Sequence, residues 1–360
     1  MKYLMNAWYV ACWSDVVKQG EMFHRKLLEQ DVVFYRQDGG QAVALQDRCP
    51  HRFIPLHLGK IVAGKIECAY HGLQFDCTGK CVRNPHGDGK IPAAAKVRSY
   101  PVEDRYGMLW IWMGHEEADP SLIPKYEMLT QPEEYKTNRG NIVIDANYEL
   151  IGENLLDLSH VAFLHGGLLG SPQMTAAEPA VREEGDALYI DRWMPNVDVP
   201  SVFDMLYKRD GAMVDAWQNI GWFPPAAFLL DAGVKAPGGE RENRGWLYGI
   251  HILTPETDRT THYHFASATP RGGAELDEIS NAQLGEMRRI AFEDQDKPIL
   301  NAQQAALGDA DFWSQKPVLL SVDVGAVRFR RRLEALVKKE QDRTEPVTAT
   351  DRQASLQSAD

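Results

Sequence analysis

Alternating apolar and polar positions dominate the first third of the chain. Residues 32–36 and 42–46 each step with period two around Gln37-Asp-Gly-Gly, a hairpin pattern. The apolar run that includes Trp8, Tyr9 and Trp13 predicts a first strand rather than a leader peptide, since one Lys is its only early charge. Leu73-Gln-Phe75 leads into turn residues at 76–79, and residues 97–102 and 108–113 predict two strands around Asp104-Arg-Tyr-Gly107. Residues 1–115 therefore read as an all-β antiparallel domain. Pro120, Pro124 and Pro132 mark a linker after it.

The period changes further on. Residues 135–146 predict a strand. From 147 to 165, Tyr148, Leu150, Ile151, Leu155, Leu158, Val161 and Leu164 recur at helical spacing, and Gly166-Gly167 is the expected stop. Residues 177–265 return to strand periods, 276–306 to a helical one, and 328–339 form a basic amphipathic helix. That helix reads first as a solvated face, with contact to an acidic partner as the alternative. Residues 116–340 are expected to form a second domain, with a bent antiparallel sheet under helices, and 341–360 a polar tail. The fold class is α+β.

Composition narrows the function without deciding it. The 360 residues are 44% hydrophobic and 25% charged, ordinary values for a globular protein. A net charge of -12 argues against a nucleic-acid partner, and no run of 18 apolar residues predicts a membrane span. The five cysteines are an odd number. Cys12 reads as core, and Cys77 and Cys81 as free thiols in a reducing compartment, so a cytoplasmic location is expected.

The chemistry begins with Cys49-Pro-His51 and Cys68-Ala-Tyr-His71, two short loops separated by the sixteen residues Arg52 to Glu67. Two thiolates and two imidazoles suit zinc or an iron–sulfur cluster. Zinc fingers usually pair like with like. Here each loop supplies one Cys and one His, the donor set of a Rieske [2Fe–2S] centre, with two His replacing two Cys on one iron. A second group lies at 147–165, where Asn154, Asp157 and His160 are three apart and so near one helical face. His165 would join them if the helix loosened near it. Two His and a carboxylate make the facial triad of non-haem Fe(II) oxygenases. The acidic stretch Glu293-Asp-Gln-Asp296 is the expected source of the carboxylate.

At these residues the chain resembles the Rieske non-haem iron oxygenases, over about residues 3–340. Within them it looks most similar to the aromatic O-demethylase branch of vanillate and dicamba monooxygenases. Carrying that likeness are Asn6-Ala-Trp-Tyr-Val10, Cys49-Pro-His-Arg-Phe-Ile-Pro55, Tyr70-His-Gly-Leu73, Asn84-Pro-His-Gly87, Trp110-Ile-Trp112 and His251-Ile-Leu-Thr-Pro-Glu-Thr257. The resemblance implies a helix-grip catalytic domain. It implies that Cys49 and Cys68 hold one cluster iron, His51 and His71 the other. His160 and His165 would bind a mononuclear Fe(II). Asp296 is its expected third ligand, since Asp296-Lys-Pro-Ile-Leu leads into Gln303-Gln304, and Asp294 is the rival. Asp157 would bridge the two centres between neighbouring subunits of a head-to-tail homotrimer, and Asn154 would sit near the iron. A separate NAD(P)H-dependent reductase, with or without a ferredoxin, would supply electrons, because the chain has no flavin or nicotinamide motif. The implied reaction is O2-dependent O-demethylation of a methoxylated aromatic acid to a phenol and formaldehyde. The alternatives are hydroxylation or dihydroxylation of another aromatic acid, or N-demethylation. His251 is the candidate substrate contact. Phe228, Ile220, Leu230 and Met287 are candidate apolar wall.

Overall fold

The computed structural model describes residues 2–271 and 281–344. The N-terminal strands are β1 (Trp8–Trp13), β2 (Phe23–Leu27), β3 (Gln30–Arg36), β4 (Ala42–Gln46), β5 (Lys60–Val62), β6 (Lys65–Glu67), β7 (Gln74–Phe75), β8 (Cys81–Arg83), β9 (Ser99–Tyr100), β10 (Val102–Arg105) and β11 (Met108–Trp112). They form three small antiparallel sheets, ordered β1-β11-β10, β2-β3-β4-β9 and β5-β6-β7-β8. The predicted 32–46 hairpin is the β3–β4 pair, and both its faces are covered. Val32, Phe34 and Ala44 enter the main core, while Val33, Tyr35, Val43 and Leu45 pack under Cys49 and Cys68. Period two thus divides one hairpin between two cores.

The second half is one seven-stranded antiparallel sheet, of β12 (Tyr135–Ile144), β13 (Ala180–Glu184), β14 (Ala187–Val197), β15 (Val214–Phe223), β16 (Ala227–Lys235), β17 (Trp246–Pro255) and β18 (Thr261–Pro270). Strands β13 to β18 pair in chain order, and β12 closes the far edge beside β18. The helices are α1 (Tyr148–Leu156), α2 (Ser201–Leu206), α3 (Asn281–Arg289), α4 (Lys297–Leu307) and α5 (Val324–Thr344). Phe329 of α5 is fully buried against Trp222 (rings 4.9 Å apart) and Phe228 (6.1 Å), which fixes helix to sheet. The two halves join through Leu28 N to Pro255 O (2.8 Å) and Thr254 Oγ1 to Val10 O (2.7 Å). Among the described residues, no helix is long and apolar enough to cross a membrane.

Several expectations change. The 147–165 helix ends at Leu156, nine residues short. Asp157 leaves helical geometry (φ -105°, ψ 84°), and its Oδ1 accepts from Ser159 N at 2.9 Å to start a 3-10 turn, Leu158–Ala162. An Asp that bonds its own nearby backbone competes with the helix ladder. The 276–306 segment is two helices joined by a π turn, Ile290–Asp296, and its first residues, 276–280, lie outside the described residues. The short helix α2 interrupts the long run of strands. Helix α5 runs to Thr344, into the expected polar tail, whose residues 345–360 lie outside the described residues. Three of its cations are engaged within the chain: Arg328 and Arg332 pair with Glu183, and the buried Arg330 pairs with Glu149 and Glu153. That removes much of the charge an acidic partner would meet.

Candidate active site and metal centres

The two Cys/His loops have one design. Cys49 N donates to Ile54 O (2.8 Å) and Phe53 N to Cys49 O (2.9 Å); Cys68 N donates to Leu73 O (2.9 Å) and Gly72 N to Cys68 O (3.0 Å). Phe53 and Gly72, each four residues past its cysteine, both adopt positive φ, 63° and 66°. Glycine reaches that region freely, but Phe53 does so at a cost. Both cysteines are buried, and the His51 and His71 rings lie 4.5 Å apart at the surface end. Burial pushes the Cys49 thiol up to about 11, with the Cys68 sulfur beside it. Two buried, mutually close thiols fit a metal that takes them as thiolates. All five cysteines are free.

Among the described residues, two groups of three or more potential ligands bring their donor atoms within 4.8 Å of one another: His160–His165–Asp296 and His24–Asp47–His57. The Cys49–His51–Cys68–His71 set is spread wider than a single ion, as two metal atoms require. In the second group the His24 and His57 rings stack in parallel at 3.7 Å, so their in-plane lone pairs do not converge.

The first group is built by the two irregular turns. The 3-10 turn carries His160, and His165 follows it. Gly170 keeps the ensuing loop tight, since a Cβ there would stand 2.4 Å from the Val161 carbonyl oxygen. The π turn presents Gln295 and Asp296 in succession. His165 Nδ1 donates to Gln295 Oε1 at 2.7 Å, and its Nε2 stands 3.2 Å from Asp296 Oδ1. His160 Nδ1 donates to the Asp157 carbonyl at 2.5 Å, and its Nε2 lies 3.8 Å from the same Asp296 oxygen. Asn154 Nδ2 donates weakly to that oxygen at 3.4 Å. Burial lowers the pKa of His160, outweighing Asp296. At His165 burial also opposes charge, but Asp296 and Gln295 outweigh it and raise the pKa. Two buried donors and the half-buried His160, each imidazole fixed by its other nitrogen, fit a divalent metal. Asp294 points elsewhere: it pairs with Arg289 at 2.7 Å and is half exposed. Asp157 touches His160 through its main chain, not its carboxylate.

A cavity of about 140 Å³ opens from these residues between sheet and helices. Ile220, Leu230 and Met287 line it as expected, whereas Phe228 lies deeper in the core. His251 lines it too, with Nδ1 2.6 Å from Tyr263 Oη and its buried Nε2 without a partner. Burial lowers the His251 pKa to about 4, so the ring is neutral. Larger clefts lie elsewhere, one of about 610 Å³ beside Lys2 and Arg330, away from the candidate metal donors.

Sequence patterns had not singled out Gln295, Arg288 or Arg192. Arg192 is buried and donates to Leu158 O (2.5 Å), Met174 O (2.9 Å) and Gln218 Oε1 (2.9 Å). A signal for it existed: strand alternation puts Arg192 on the inward row with Leu188, Ile190 and Met194.

Residues 7–101 match the model of the Rieske [2Fe-2S] domain, and residues 144–339 that of the vanillate O-demethylase oxygenase C-terminal domain. The chain belongs to the Rieske oxygenases. This oxygenase is 36% identical over 344 residues to the chloroacetanilide N-alkylformylase oxygenase component of Rhizorhabdus wittichii, covering 94% of this chain and 97% of that one. It is 35% identical to the dicamba O-demethylase oxygenase component of Stenotrophomonas maltophilia, covering 94% and 99%. Dicamba monooxygenase bound to 3,6-dichlorosalicylic acid superposes with a TM-score of 0.87 at 34% identity, over 95% and 99% of the two chains. Its structure with non-haem iron and dicamba gives 0.79 at 35% identity, over 95% and 100%. The oxygenase is an O2-dependent Rieske monooxygenase, and its cofactors are a [2Fe-2S] cluster and a mononuclear non-haem iron.

Proposed function

We propose that the oxygenase is the terminal component of a multicomponent monooxygenase that O-demethylates a methoxylated aromatic acid. The observation that carries this reading is the junction of an apolar cavity with the His160–His165–Asp296 group. In it Cys49 and Cys68 hold one cluster iron, His51 and His71 the other, and His160, His165 and Asp296 hold the mononuclear iron. Iron held there would supply, with O2, two electrons and two protons, hydroxylation of the methyl carbon, the second oxygen atom leaving as water. The resulting hemiacetal collapses to a phenol and formaldehyde.

The protein's own residues position the reactants. Apolar side chains exclude water from the ring, and neutral His251, fixed by Tyr263, turns its Nε2 toward the substrate. Asn154 adjusts Asp296. Asp157 links the two centres across subunits of a head-to-tail trimer. Supporting that assembly, Phe53 and Tyr70 beside the cluster loops are each 61% exposed, and Phe163, between His160 and His165, is 79% exposed. A separate NAD(P)H-dependent reductase, directly or through a ferredoxin, delivers the electrons, consistent with relatives named as oxygenase components. The free thiols support a cytoplasmic location.

A second reading, N-dealkylation, is favoured by the likeness to the chloroacetanilide enzyme. A methoxyarene and N-alkyl amide panel, run with NADH and a generic reductase, separates them. Formaldehyde together with a phenol supports O-demethylation; an N-dealkylated amide and no phenol overturns it.

A further inference from the structure

The strand register lays a straight row across the sheet beneath the cavity. Ile190 pairs with Ile220, Ile220 with Leu230, Leu230 with Gly249, Gly249 with Ser267, and Ser267 with Asn138. Directly paired residues point to one face. The row is bulky at the β14 end and shrinks at Gly249 and Ser267. A Cβ on Gly249 would stand 2.8 Å from His251 Nε2 and 3.3 Å from the Leu230 Cβ. Gly249 and Ser267 therefore line the hollow, with the His251 ring standing over Gly249.

Beyond Ser267 the row ends at Asn138, whose Oδ1 accepts from Arg288 Nη1. The Arg288 guanidinium also lies over the Phe265 ring, 4.5 Å from its centroid. Arg288 lines the cavity, and no other Lys or Arg does so among the described residues. Among the described residues no carboxylate forms an ion pair with it. Burial lowers its pKa, outweighing the opposing effect of Tyr263 and Glu293. The cavity wall is otherwise mainly apolar, and His251 is neutral.

We propose that Arg288, held by Asn138 and Phe265, is the charge-reading residue of the pocket, so that the oxygenase selects aromatic substrates bearing a carboxylate or sulfonate. The assignment rests on the cavity being the substrate site, as in the reading above, but not on which bond is cleaved. A guanidinium meets a carboxylate or sulfonate with two parallel N–H donors and is pre-positioned here at the end of the hollow. Neutral anilides of the same shape leave it unpaired.

The test is equilibrium binding to the holoenzyme without reductant, by calorimetry. Matched pairs are used: 4-methoxybenzoate against 4-methoxybenzamide, and 4-toluenesulfonate against 4-toluenesulfonamide. Expected for the unsubstituted protein is tighter binding of at least one anion than of its neutral partner, by about tenfold to a hundredfold. Arg288→Gln should abolish that preference while amide binding stays within about twofold, and Arg288→Lys should keep part of it. Cluster absorption and iron content check that each variant is folded. No anion preference in any pair, or an unchanged preference in Arg288→Gln, overturns the proposal. Anion selectivity without formaldehyde release sinks O-demethylation and leaves the role of Arg288 standing. Formaldehyde release without anion selectivity does the reverse.

Discussion

Gln295 accepts a 2.7 Å hydrogen bond from His165 Nδ1, leaving the Nε2 of the same ring facing Asp296. Two successive residues can hold two edges of one imidazole because the π turn widens the helix there. Gln295→Leu should free the ring and weaken the mononuclear site by about 10- to 100-fold. The check is iron retained per chain during dialysis against a graded chelator, with cluster absorption as control. Equal retention in variant and parent would show that Gln295 does not orient His165.

The same turn separates the two candidate carboxylates. Asp296→Ala should lose about one iron per chain and keep the two of the cluster. Asp294→Ala should keep about three, since Asp294 only pairs with Arg289 at the surface. Metal analysis of the two purified variants decides it; iron loss from the Asp294 variant instead would reverse the assignment.

Asp157 contributes its carbonyl to His160 and its carboxylate to Ser159 N. Asparagine at 157 preserves the carbonyl and still offers an oxygen to Ser159. Asp157→Asn should therefore retain both metals, and the link proposed for Asp157 predicts that turnover falls at least roughly tenfold. Single-turnover reoxidation of the reduced cluster measures it directly, and a parental rate would remove Asp157 from the electron path.

How much of this was legible in the chain depends on how local the causes are. The β3–β4 hairpin and the two Cys/His loops are written in contiguous residues, so periodicity and ligand spacing found them. The break at Asp157 was not, because Leu155, Leu158, Val161 and Leu164 keep helical spacing straight through it. There the outcome turns on one side chain bonding Ser159 N. The rival claims of Asp294 and Asp296 could not be separated by spacing either, since an inserted π turn shifts which residue faces inward. Arg288 becomes informative only through β12 and β18, whose pairing with the rest of the sheet no local pattern reveals.

Three histidines on β17 and β18 make stability depend on pH. Burial lowers His251 and His262 to about 4 and His264 well below its ordinary value. The unfolded chain, with ordinary values near 6.5, takes up protons first as pH falls. Their contribution is therefore complete above about pH 6.5 and is lost as pH drops toward 4. Between pH 7 and 5, His251 and His262 each cost roughly 2 kcal/mol. Urea midpoints should fall over that interval, and His264→Leu should flatten the fall. Identical slopes for parent and variant would mean that His264 is not held neutral.

Arg192 offers the sharpest separation between scaffold and chemistry. Its guanidinium sits on the inward face of β14 and gathers the Leu158 carbonyl, the Met174 carbonyl and the Gln218 amide oxygen. Leu158 opens the 3-10 turn that delivers His160, so this one side chain ties that turn to the sheet. Methionine would replace the stem volume and none of the donors. Buried acceptors left unpaired cost about 1–3 kcal/mol each, so Arg192→Met should destabilise the fold by roughly 3 kcal/mol, or about 6–12 °C in Tm. The turn should loosen with it, and mononuclear iron should dissociate faster from Arg192→Met while cluster absorption at room temperature is unchanged. Calorimetry with a chelator-chase measurement reads both. A variant that loses stability but releases iron at the parental rate would confine Arg192 to holding the sheet, and a parental Tm would mean that the three acceptors do not depend on it.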